Sequence, residues 1–394
     1  MDGRLACRRR SRSVSALIYA LVLVTIAATV YQILALVASL HHITASEPEP
    51  TDPLPPISIL KPVRGLDPRF WESIVSLAEQ EYPEFEILFG VGDPQDPAIP
   101  LIERLIAAYP DRVIRLVRTQ TELPNGKVGT LEDLSSDARH AVLVVSDSDI
   151  LVPPGYLRRV VAPLSDRKIG IVTCLYRGDG NHCPARWESL GIATDFAPSV
   201  LVAPLLGVRE FGLGSTLVFR SEHLRAIGGF RSFGDYIADD YQLAKRITDL
   251  GLRSVISKVV VETHPGEDSW LGVWRHQVRW ARTIRACRGL AYFGLPITHA
   301  TIWAVLCGVN GFAGLAWLLF WARIAAGMTA GIAVLRSGAA SRYFALIPLW
   351  DLWAFGVWIA GALSSTVMWR GKRMQLDRGG RIVPSVDSLK TGLR

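Results

Sequence analysis

The sequence predicts an α/β domain built on a parallel sheet with helices on both faces, flanked by transmembrane helices. Between residues 57 and 264, short apolar segments typical of buried strands alternate with segments that carry helix start and stop signals. Uncharged apolar runs lie before and after this region, and the 394-residue chain is 49% hydrophobic but only 20% charged. This composition excludes an ordinary soluble protein and favours an anchored enzyme or receptor.

The first 56 residues divide into a basic tail, an anchor and a linker. Residues 1–13 carry five arginines, whereas residues 14–40 contain no charged side chain. The uncharged run exceeds the ~20 residues that a helix needs to span a bilayer and is longer than a signal-peptide core, so we expect a retained anchor. Residues 41–56 follow as a linker that contains proline and glutamate.

Strand and helix signals alternate through the predicted domain, residues 57–264. Because ligands in parallel sheets bind beyond the carboxyl ends of the strands, acids at those ends are candidate ligand contacts. Asp93 and the pair Asp147 and Asp149 occupy such positions. The predicted strands are residues 57–60, 85–91, 113–117, 141–150 and 254–261, and the predicted helices are residues 67–80, 99–108 and 237–249, with another after Lys127.

Asp147 and Asp149 end the most apolar predicted strand. Side chains two apart on a strand point the same way, so both carboxylates could converge on one hard cation that bridges phosphate oxygens. A nucleotide-diphosphate site is therefore one interpretation, and a solvated turn is the other. The sequence has neither a glycine-rich dinucleotide fingerprint nor a P-loop, so a dinucleotide enzyme or an NTPase is not supported.

Two adjacent acids, Asp239 and Asp240, open the predicted helix at residues 237–249. Acids at a helix start interact favourably with the helix dipole, which is the structural interpretation. The functional interpretation is that one of them acts as general base for an alcohol.

Residues 265–295 predict an amphipathic helix at the membrane surface. Arginines on one side and tryptophans on the other suit the headgroup region of a bilayer. The basic side carries Arg275, Arg279 and Arg282, and the apolar side carries Trp270, Val273, Trp274, Trp280 and Ile284.

Residues 296–368 predict a membrane-spanning and interfacial region. We expect spans at residues 297–321 and 343–368, and a re-entrant or interfacial segment at residues 324–335, which are too few to span comfortably. Asp351 lies inside the second span. Because an acid is costly in lipid, we expect it to face protein, water or the bilayer edge.

Charge and cysteine patterns narrow the function classes. The basic clusters in the first 13 residues and in the tail, residues 369–394, adjoin apolar runs and fit anionic lipid better than nucleic acid, for which no binding motif is present. The cysteines have no paired short spacing, so neither a disulfide framework nor a zinc site is predicted, and a reducing compartment is favoured. They are Cys7, Cys174, Cys183, Cys287 and Cys307.

Four ordered motifs resemble the D, DxD, (E/T)D and (Q/R)xxRW series of inverting family 2-like glycosyltransferases. The stretches ISILKPVRG, DSDI, IADDYQLAKRI and WRGKRMQL are similar to ceramide glucosyltransferases and their bacterial relatives, including the hopanoid-biosynthesis glycosyltransferases. Two positions depart from the family pattern, since His276 replaces the usual Gln or Arg and Asp239 replaces the commoner Glu. The motif residues are Asp93, Asp147 with Asp149, Asp239 with Asp240, and His276 with Arg279 and Trp280.

The resemblance implies a GT-A fold, the Rossmann-like fold of nucleotide-diphospho-sugar transferases, in residues 57–264. It implies inverting transfer of a hexose or N-acetylhexosamine from a UDP-sugar to a lipid hydroxyl, with a ceramide-type or hopanoid-type acceptor. Mg²⁺ or Mn²⁺ would be held by Asp147 and Asp149, and Asp240 would deprotonate the acceptor. The other residues implied in substrate binding are Asp93 at the uridine, Lys127 and Asp239 near the nucleotide, and His276, Arg279 and Trp280 over the diphosphate.

Three other functions compete with this interpretation. A processive polysaccharide synthase also uses the RW motif, but three spans supply few helices for a translocation channel. A polyprenyl-phosphate sugar transferase needs no strong base and usually lacks the RW element. A membrane-anchored sugar-nucleotide sensor would not need the intact series of acids.

The expected location is a multi-pass position in the bacterial inner membrane, with the catalytic domain in the cytoplasm where UDP-sugars occur. Two later spans then return the basic tail to the cytoplasm, as the positive-inside rule favours. One amino-terminal span places the arginines of residues 1–13 outside, against that rule. For the acceptor, residues 187–211 predict either an apolar lipid-binding surface or an ordinary core helix.

Overall fold

The computed structural model describes residues 2–50, 52–266, 269–369 and 372–383. Of the predicted basic tail, residues 369–394, residues 370–371 and 384–394 lie outside these ranges. The described strands are β1 (Ile57–Pro62), β2 (Phe85–Val91), β3 (Val113–Arg118), β4 (Val142–Val145), β5 (Ile169–Gly178), β6 (Leu217–Arg220), β7 (Arg253–Thr263), β8 (Thr366–Trp369), β9 (Lys372–Leu376) and β10 (Ile382–Val383).

The central sheet contains seven strands in the order β3-β2-β1-β4-β6-β5-β7. All neighbours are parallel except β6, which runs antiparallel to both β4 and β5. The strands β2 and β4 are buried along their whole length, because apolar side chains on both faces are covered by helices. The predicted parallel sheet with two covered faces is therefore confirmed. The strands β8, β9 and β10 form a separate antiparallel sheet.

Helices pack on both faces of the sheet and continue into an apolar bundle. A π segment, Ile192–Phe196, joins α6 to α7, and a 3-10 turn follows, so that residues 183–206 form one long helical rod. The helices are α1 (Asp2–Thr44), α2 (Phe70–Ala78), α3 (Ile99–Ala108), α4 (Gly126–Asp137), α5 (Tyr156–Val161), α6 (Cys183–Gly191), α7 (Ala197–Val202), α8 (Ser221–Ala226), α9 (Asp239–Asp249), α10 (Trp270–Arg288), α11 (Ala300–Val309), α12 (Ala313–Met328), α13 (Gly338–Tyr343) and α14 (Ile347–Ala362).

Two predicted elements near the sheet edge have different ends in the structure. The helix predicted from residue 67 begins at Phe70, and the residue before it, Arg69, has a left-handed backbone with φ of 54°. Asp67 does not cap this helix, because its carboxylate accepts a hydrogen bond from the Ser148 hydroxyl. The strand predicted to reach residue 150 ends at Val145, so Asp147 and Asp149 lie in the following loop rather than on the strand.

Four described helices are long and apolar enough to cross a membrane: Ser15–Thr44, Cys183–Leu206, Ala313–Val334 and Gly338–Ala362. A fifth span results if the bent pair Trp270–Thr298 and Ala300–Val309 crosses as one unit. The helix α1 continues to Thr44, so the first residues of the predicted linker are helical. The rod at residues 183–206 packs between the sheet and this bundle, with apolar contacts to α1 and α12.

The predicted single span at residues 297–321 and the interfacial segment at residues 324–335 are wrong. The chain turns at Asn310 and Gly311, where Gly311 has φ of 93°, and the helices α11 and α12 on either side pack against each other. The apolar residues 324–335 continue α12 through a π segment. Hydropathy alone did not reveal this turn, because the residues around the Asn-Gly pair are apolar.

Asp351 is completely buried and forms an ion pair with Arg323 across α12 and α14. Arg323 Nη2 lies 2.8 Å from Asp351 Oδ1, and Arg323 Nη1 donates to the carbonyl of Thr194 at 2.7 Å. The other carboxylate oxygen accepts hydrogen bonds from the backbone and hydroxyl of Thr301. Asp351 therefore faces protein, one of the three environments expected from the sequence.

Replacement of Asp351 by asparagine should destabilise the apolar bundle. Removing one partner of a buried pair typically costs about 3–5 kcal/mol, because the other charge remains buried. We expect a lower thermal unfolding midpoint in detergent for Asp351→Asn and partial recovery when Arg323→Met is added. The matched control is Asp166→Asn, whose exposed pair with Arg253 should contribute less than about 1 kcal/mol. Equal midpoints for Asp351→Asn and Asp166→Asn would contradict this prediction.

Candidate active site

A large cavity opens at the carboxyl ends of β1, β2 and β4, between the sheet and α10. Its volume of about 2580 Å³ exceeds the ~300–1,000 Å³ typical of a site for one small ligand. All nine residues predicted from the motifs line this cavity. They are Asp93, Lys127, Asp147, Asp149, Asp239, Asp240, His276, Arg279 and Trp280.

Lys127 joins the two pairs of acids. Its Nζ lies 2.7 Å from Asp147 Oδ1 and 3.0 Å from Asp239 Oδ2. Lys127 stands in the first turn of α4, where the Asn125 side chain caps the helix by accepting from the backbone of Lys127 and Val128. Burial would lower the pKa of Lys127, but the attraction of the neighbouring acids raises it above its usual range. Lys127 is therefore a fixed positive charge in the site.

Asp149 is a half-buried acid beside a second acid. Its carboxylate accepts a hydrogen bond from the Thr263 hydroxyl at the end of β7. Burial, and then the negative charge of Asp147, raise the pKa of Asp149. The loop at Gly214 comes so close that a Cβ there would lie 2.8 Å from Asp147 Oδ2. A crowded pair of carboxylates fits a divalent cation, whose charge would relieve their repulsion.

Asp240 lies at the start of α9, with its carboxylate held by backbone groups. Gly214 N donates to Asp240 Oδ2 at 3.1 Å, and Tyr241 N donates to Oδ1 at 2.7 Å. Burial, followed by the negative charge of Asp239, raises the pKa of Asp240 to about 6, although Lys127 opposes this shift. A carboxylate with such a pKa can accept a proton near neutral pH.

Asp93 follows β2 and lines the same cavity. Its carboxylate Oδ1 accepts from the backbone of Gln95, which closes the turn after the strand. Asp93 therefore stands at the strand end where the sequence predicted it, and its other oxygen does not take part in that turn.

Lys61 is a site residue that the motif analysis missed. It belongs to β1, is fully buried, and its Nζ donates to the backbone carbonyl of Asp147 at 2.7 Å. Burial lowers the pKa of Lys61 to about 8, and the nearby acids, Asp149 first, oppose the shift. A charged residue in an otherwise apolar strand was the available signal for this position.

A second acidic group, also missed, surrounds the guanidinium of Arg69. Asp179, Glu262 and His264 have potential ligand atoms within 4.8 Å of one another, so they could hold a metal ion. Arg69 Nη1 already lies 2.5 Å from His264 Nε2 and 3.5 Å from Glu262 Oε1. His264 also lines the main cavity, directly after the threonine that binds Asp149. It is the one member of this group that faces the predicted metal acids.

The helix α10 closes the opposite side of the cavity. His276 Nδ1 lies 2.7 Å from Glu188 Oε1, and the His276 and Trp280 rings are 4.7 Å apart. Trp280 also packs on Phe196 of the rod at residues 183–206, with ring centroids 6.1 Å apart. These contacts hold the predicted RW corner over the cavity, together with Arg279. The cavity therefore contains two acids that could hold a cation, Asp147 and Asp149, an acid that could accept a proton, Asp240, and the positive charge of Arg279.

Comparison with known proteins identifies the family. A model of glycosyl transferase family 21 matches residues 18–382. Ceramide glucosyltransferase 1 of Caenorhabditis elegans is 26% identical over 364 residues, which cover 89% of this chain and 77% of the worm protein. Ceramide glucosyltransferase 3 of the same organism is 28% identical over 222 residues, covering 55% of this chain and 47% of that protein.

One solved structure supports the fold. The mannosyltransferase PcManGT from Pyrobaculum calidifontis, in complex with GDP-Man and Mn²⁺, superposes with a TM-score of 0.54 and covers 88% of this chain and 98% of its own. Its sequence is 21% identical, so the likeness bears on the fold alone. The family match spans most of the chain and agrees with the motif residues in the cavity. The chain belongs to glycosyl transferase family 21 and is a ceramide glucosyltransferase-like glycosyltransferase with a GT-A fold.

Proposed function

We propose that the protein transfers a hexose or N-acetylhexosamine from a UDP-sugar to the hydroxyl group of a ceramide-type or hopanoid-type lipid, with inversion at the anomeric carbon. One observation carries the proposal: the carboxylate of Asp240 lies in the same cavity as the acids Asp147 and Asp149 and the RW corner of α10. The cavity is large enough for a sugar nucleotide and an acceptor headgroup together.

The donor would bind at the carboxyl ends of β2 and β4. In this assignment Asp93 contacts the uridine, and Asp147 and Asp149 hold Mg²⁺ or Mn²⁺. Burial, and then the negative charge of Asp147, raise the pKa of Asp149, and a cation at this position would offset both effects. When bound, the cation would neutralise charge on the diphosphate. Lys127 and Asp239 would then lie beside the nucleotide, with Lys127 as a fixed positive charge.

The acceptor hydroxyl would give its proton to Asp240. Hydrogen bonds from the backbone N–H groups of Gly214 and Tyr241 hold this carboxylate in place. Neither donor is a charged side chain, so neither forms an ion pair that would make the carboxylate a weaker base. Attack from the side opposite the diphosphate breaks the bond to the leaving group in a single displacement, so the anomeric configuration inverts. His276, Arg279 and Trp280 would close over the departing diphosphate, where positive charge stabilises the developing negative charge.

The acceptor would reach the cavity from the membrane. The apolar helices around α10 and the rod at residues 183–206 support a location in a membrane, and we assign it to the bacterial inner membrane with the catalytic domain in the cytoplasm. The basic residues of α10 and of the tail favour that side. Protease accessibility of the catalytic domain in intact cells and in inverted vesicles tests this assignment. Cleavage in intact cells would overturn it.

Transfer should depend on pH through Asp240. The base acts in its deprotonated form, and burial raises its pKa to about 6, so activity should be present above pH 6 and fall as the pH drops through that value. Below it, we expect a loss of about tenfold per pH unit in kcat/KM, which reports the pKa of the free enzyme. A rate that stays constant between pH 7 and pH 4.5 would contradict the role of Asp240 as base.

The proposed function is tested by transfer of label from UDP-glucose or UDP-N-acetylglucosamine to lipid. Purified protein should convert ceramide or a polyhydroxylated hopanoid to a labelled glycolipid with one of these donors. Release of UDP without a glycolipid, for every donor and acceptor, would count against the proposal.

A further inference from the structure

Glu188 is a buried carboxylate for which the proposed mechanism has no role. Its side chain, on α6, is 1% exposed. Oε1 accepts hydrogen bonds from His276 Nδ1 and Gln277 Nε2, each at 2.7 Å, whereas Oε2 has no hydrogen-bond partner among the described residues. An unsatisfied buried acceptor carries a desolvation cost, and the cost is larger for a charged group. A ligand that donates to Oε2 would remove this cost.

Glu188 lies on the cavity wall near the proposed reaction centre. It lines the cavity together with Tyr176 of β5. Asp149 and Asp240 line that cavity as well. A ligand bound at Asp240 has Glu188 within the same space.

An apolar strip extends along the same rod away from Glu188. The cavity-lining positions recur every three or four residues, which places them on one side of the helix. The strip ends at Leu206, which is 59% exposed, and lies ~27 Å from Glu188 at 1.5 Å per residue. Such a strip suits a hydrocarbon chain whose polar head lies at Glu188. Its residues are Ile192, Phe196, Val200, Ala203 and Leu206.

The chemistry of Glu188 selects one part of the substrate. A carboxylate only accepts hydrogen bonds, so the partner of Glu188 is a hydrogen-bond donor, and the apolar strip that leads from Glu188 along the rod favours a donor on the lipid acceptor. We propose that Glu188 Oε2 binds a hydrogen-bond donor on the lipid head, and that the acceptor carries a second hydroxyl or an amide N–H beside the hydroxyl that receives the sugar. This inference rests on the proposed function and narrows its acceptor class.

The test compares two acceptors that differ only in the second donor: a long-chain vicinal diol and the matching primary alcohol. Wild-type protein should favour the diol in kcat/KM by about 10- to 100-fold, as expected for a hydrogen bond to a charged group. Glu188→Gln keeps one oxygen that can accept from His276, so it should abolish most of this preference and change KM for the UDP-sugar much less than kcat/KM for the diol. The matched control is Glu86→Gln, because Glu86 is equally buried but lies in β2, bonded to Ser58 and Arg115 and outside the cavity.

A second variant covers the case in which Glu188→Gln does not fold. Glu188→Asp retains the charge but withdraws the carboxylate by one methylene, so it should lose part of the preference. If the wild type glycosylates both alcohols equally, or if the Glu188 variants keep the full preference, the inference fails while the proposed function stands. If the wild type glycosylates neither alcohol and no other lipid, both fail.

Discussion

Asp240→Asn should abolish sugar transfer while the protein still binds UDP-sugar. Asparagine retains the size of the side chain and its one oxygen can still accept from the backbone of Gly214 or Tyr241, but it cannot take up the proton of the acceptor. Loss of a positioned general base typically costs about 100- to 10,000-fold in rate. The measurements are kcat for glycolipid formation and the Kd for UDP-sugar by titration calorimetry.

The matched control for this variant is Asp249→Asn at the other end of α9. Asp249 is exposed and pairs with Lys245, so its replacement should leave kcat within about twofold of wild type. Near-normal turnover of Asp240→Asn would exclude Asp240 as the base. A parallel loss of UDP-sugar binding would instead assign Asp240 to the donor site.

Asp149→Asn should weaken donor binding only when a divalent cation is present. The cation would link the diphosphate to Asp147 and Asp149. Loss of a residue that only supports a metal ligand typically weakens metal binding by about 10- to 100-fold. Removal of a carboxylate that binds the metal directly should therefore raise the Kd for UDP with Mn²⁺ or Mg²⁺ by at least about 100-fold. With a chelator, wild type and variant should bind UDP equally weakly. Titration of UDP with and without cation measures both values.

The control for the cation prediction is Asp166→Asn, which removes an exposed acid that does not line the cavity and forms an ion pair with Arg253 on the surface. It should bind UDP and cation as the wild type does. If Asp149→Asn lowers UDP affinity equally with chelator and with cation, then Asp149 acts without a metal. Full activity of wild-type protein after chelation would lead to the same conclusion.

Much of the GT-A domain could be predicted because its signals are local. The strands β1, β2 and β4 are continuous apolar runs, and the acids at their carboxyl ends stand where parallel sheets bind ligands. The helix α9 begins at Asp239, two residues after the predicted start, and ends at Asp249 as predicted. The nine motif residues are spread over nearly 190 positions of sequence, yet all line one cavity.

Contacts between distant segments could not be predicted in the same way. Lysine is almost never fully buried, and the buried partner of Lys61, the Asp147 carbonyl, lies 86 residues later in the chain, where sequence spacing does not reveal it. Glu188 gave no signal in sequence, because its partner His276 lies on another helix. The turn at Asn310 and Gly311 was hidden by apolar neighbours, and the buried pair of Arg323 with Asp351 joins residues 28 positions apart on different helices.

The direct test of the central claim is the configuration of the product. Purified protein in lipid nanodiscs, Mn²⁺, an α-linked UDP-sugar and either ceramide or a polyhydroxylated hopanoid should give a glycolipid whose sugar is β-linked by NMR, and Asp240→Asn should give none. An α-linked product would contradict single displacement at Asp240. Failure to form any glycolipid from UDP-glucose or UDP-N-acetylglucosamine with either lipid would contradict transfer to a lipid hydroxyl.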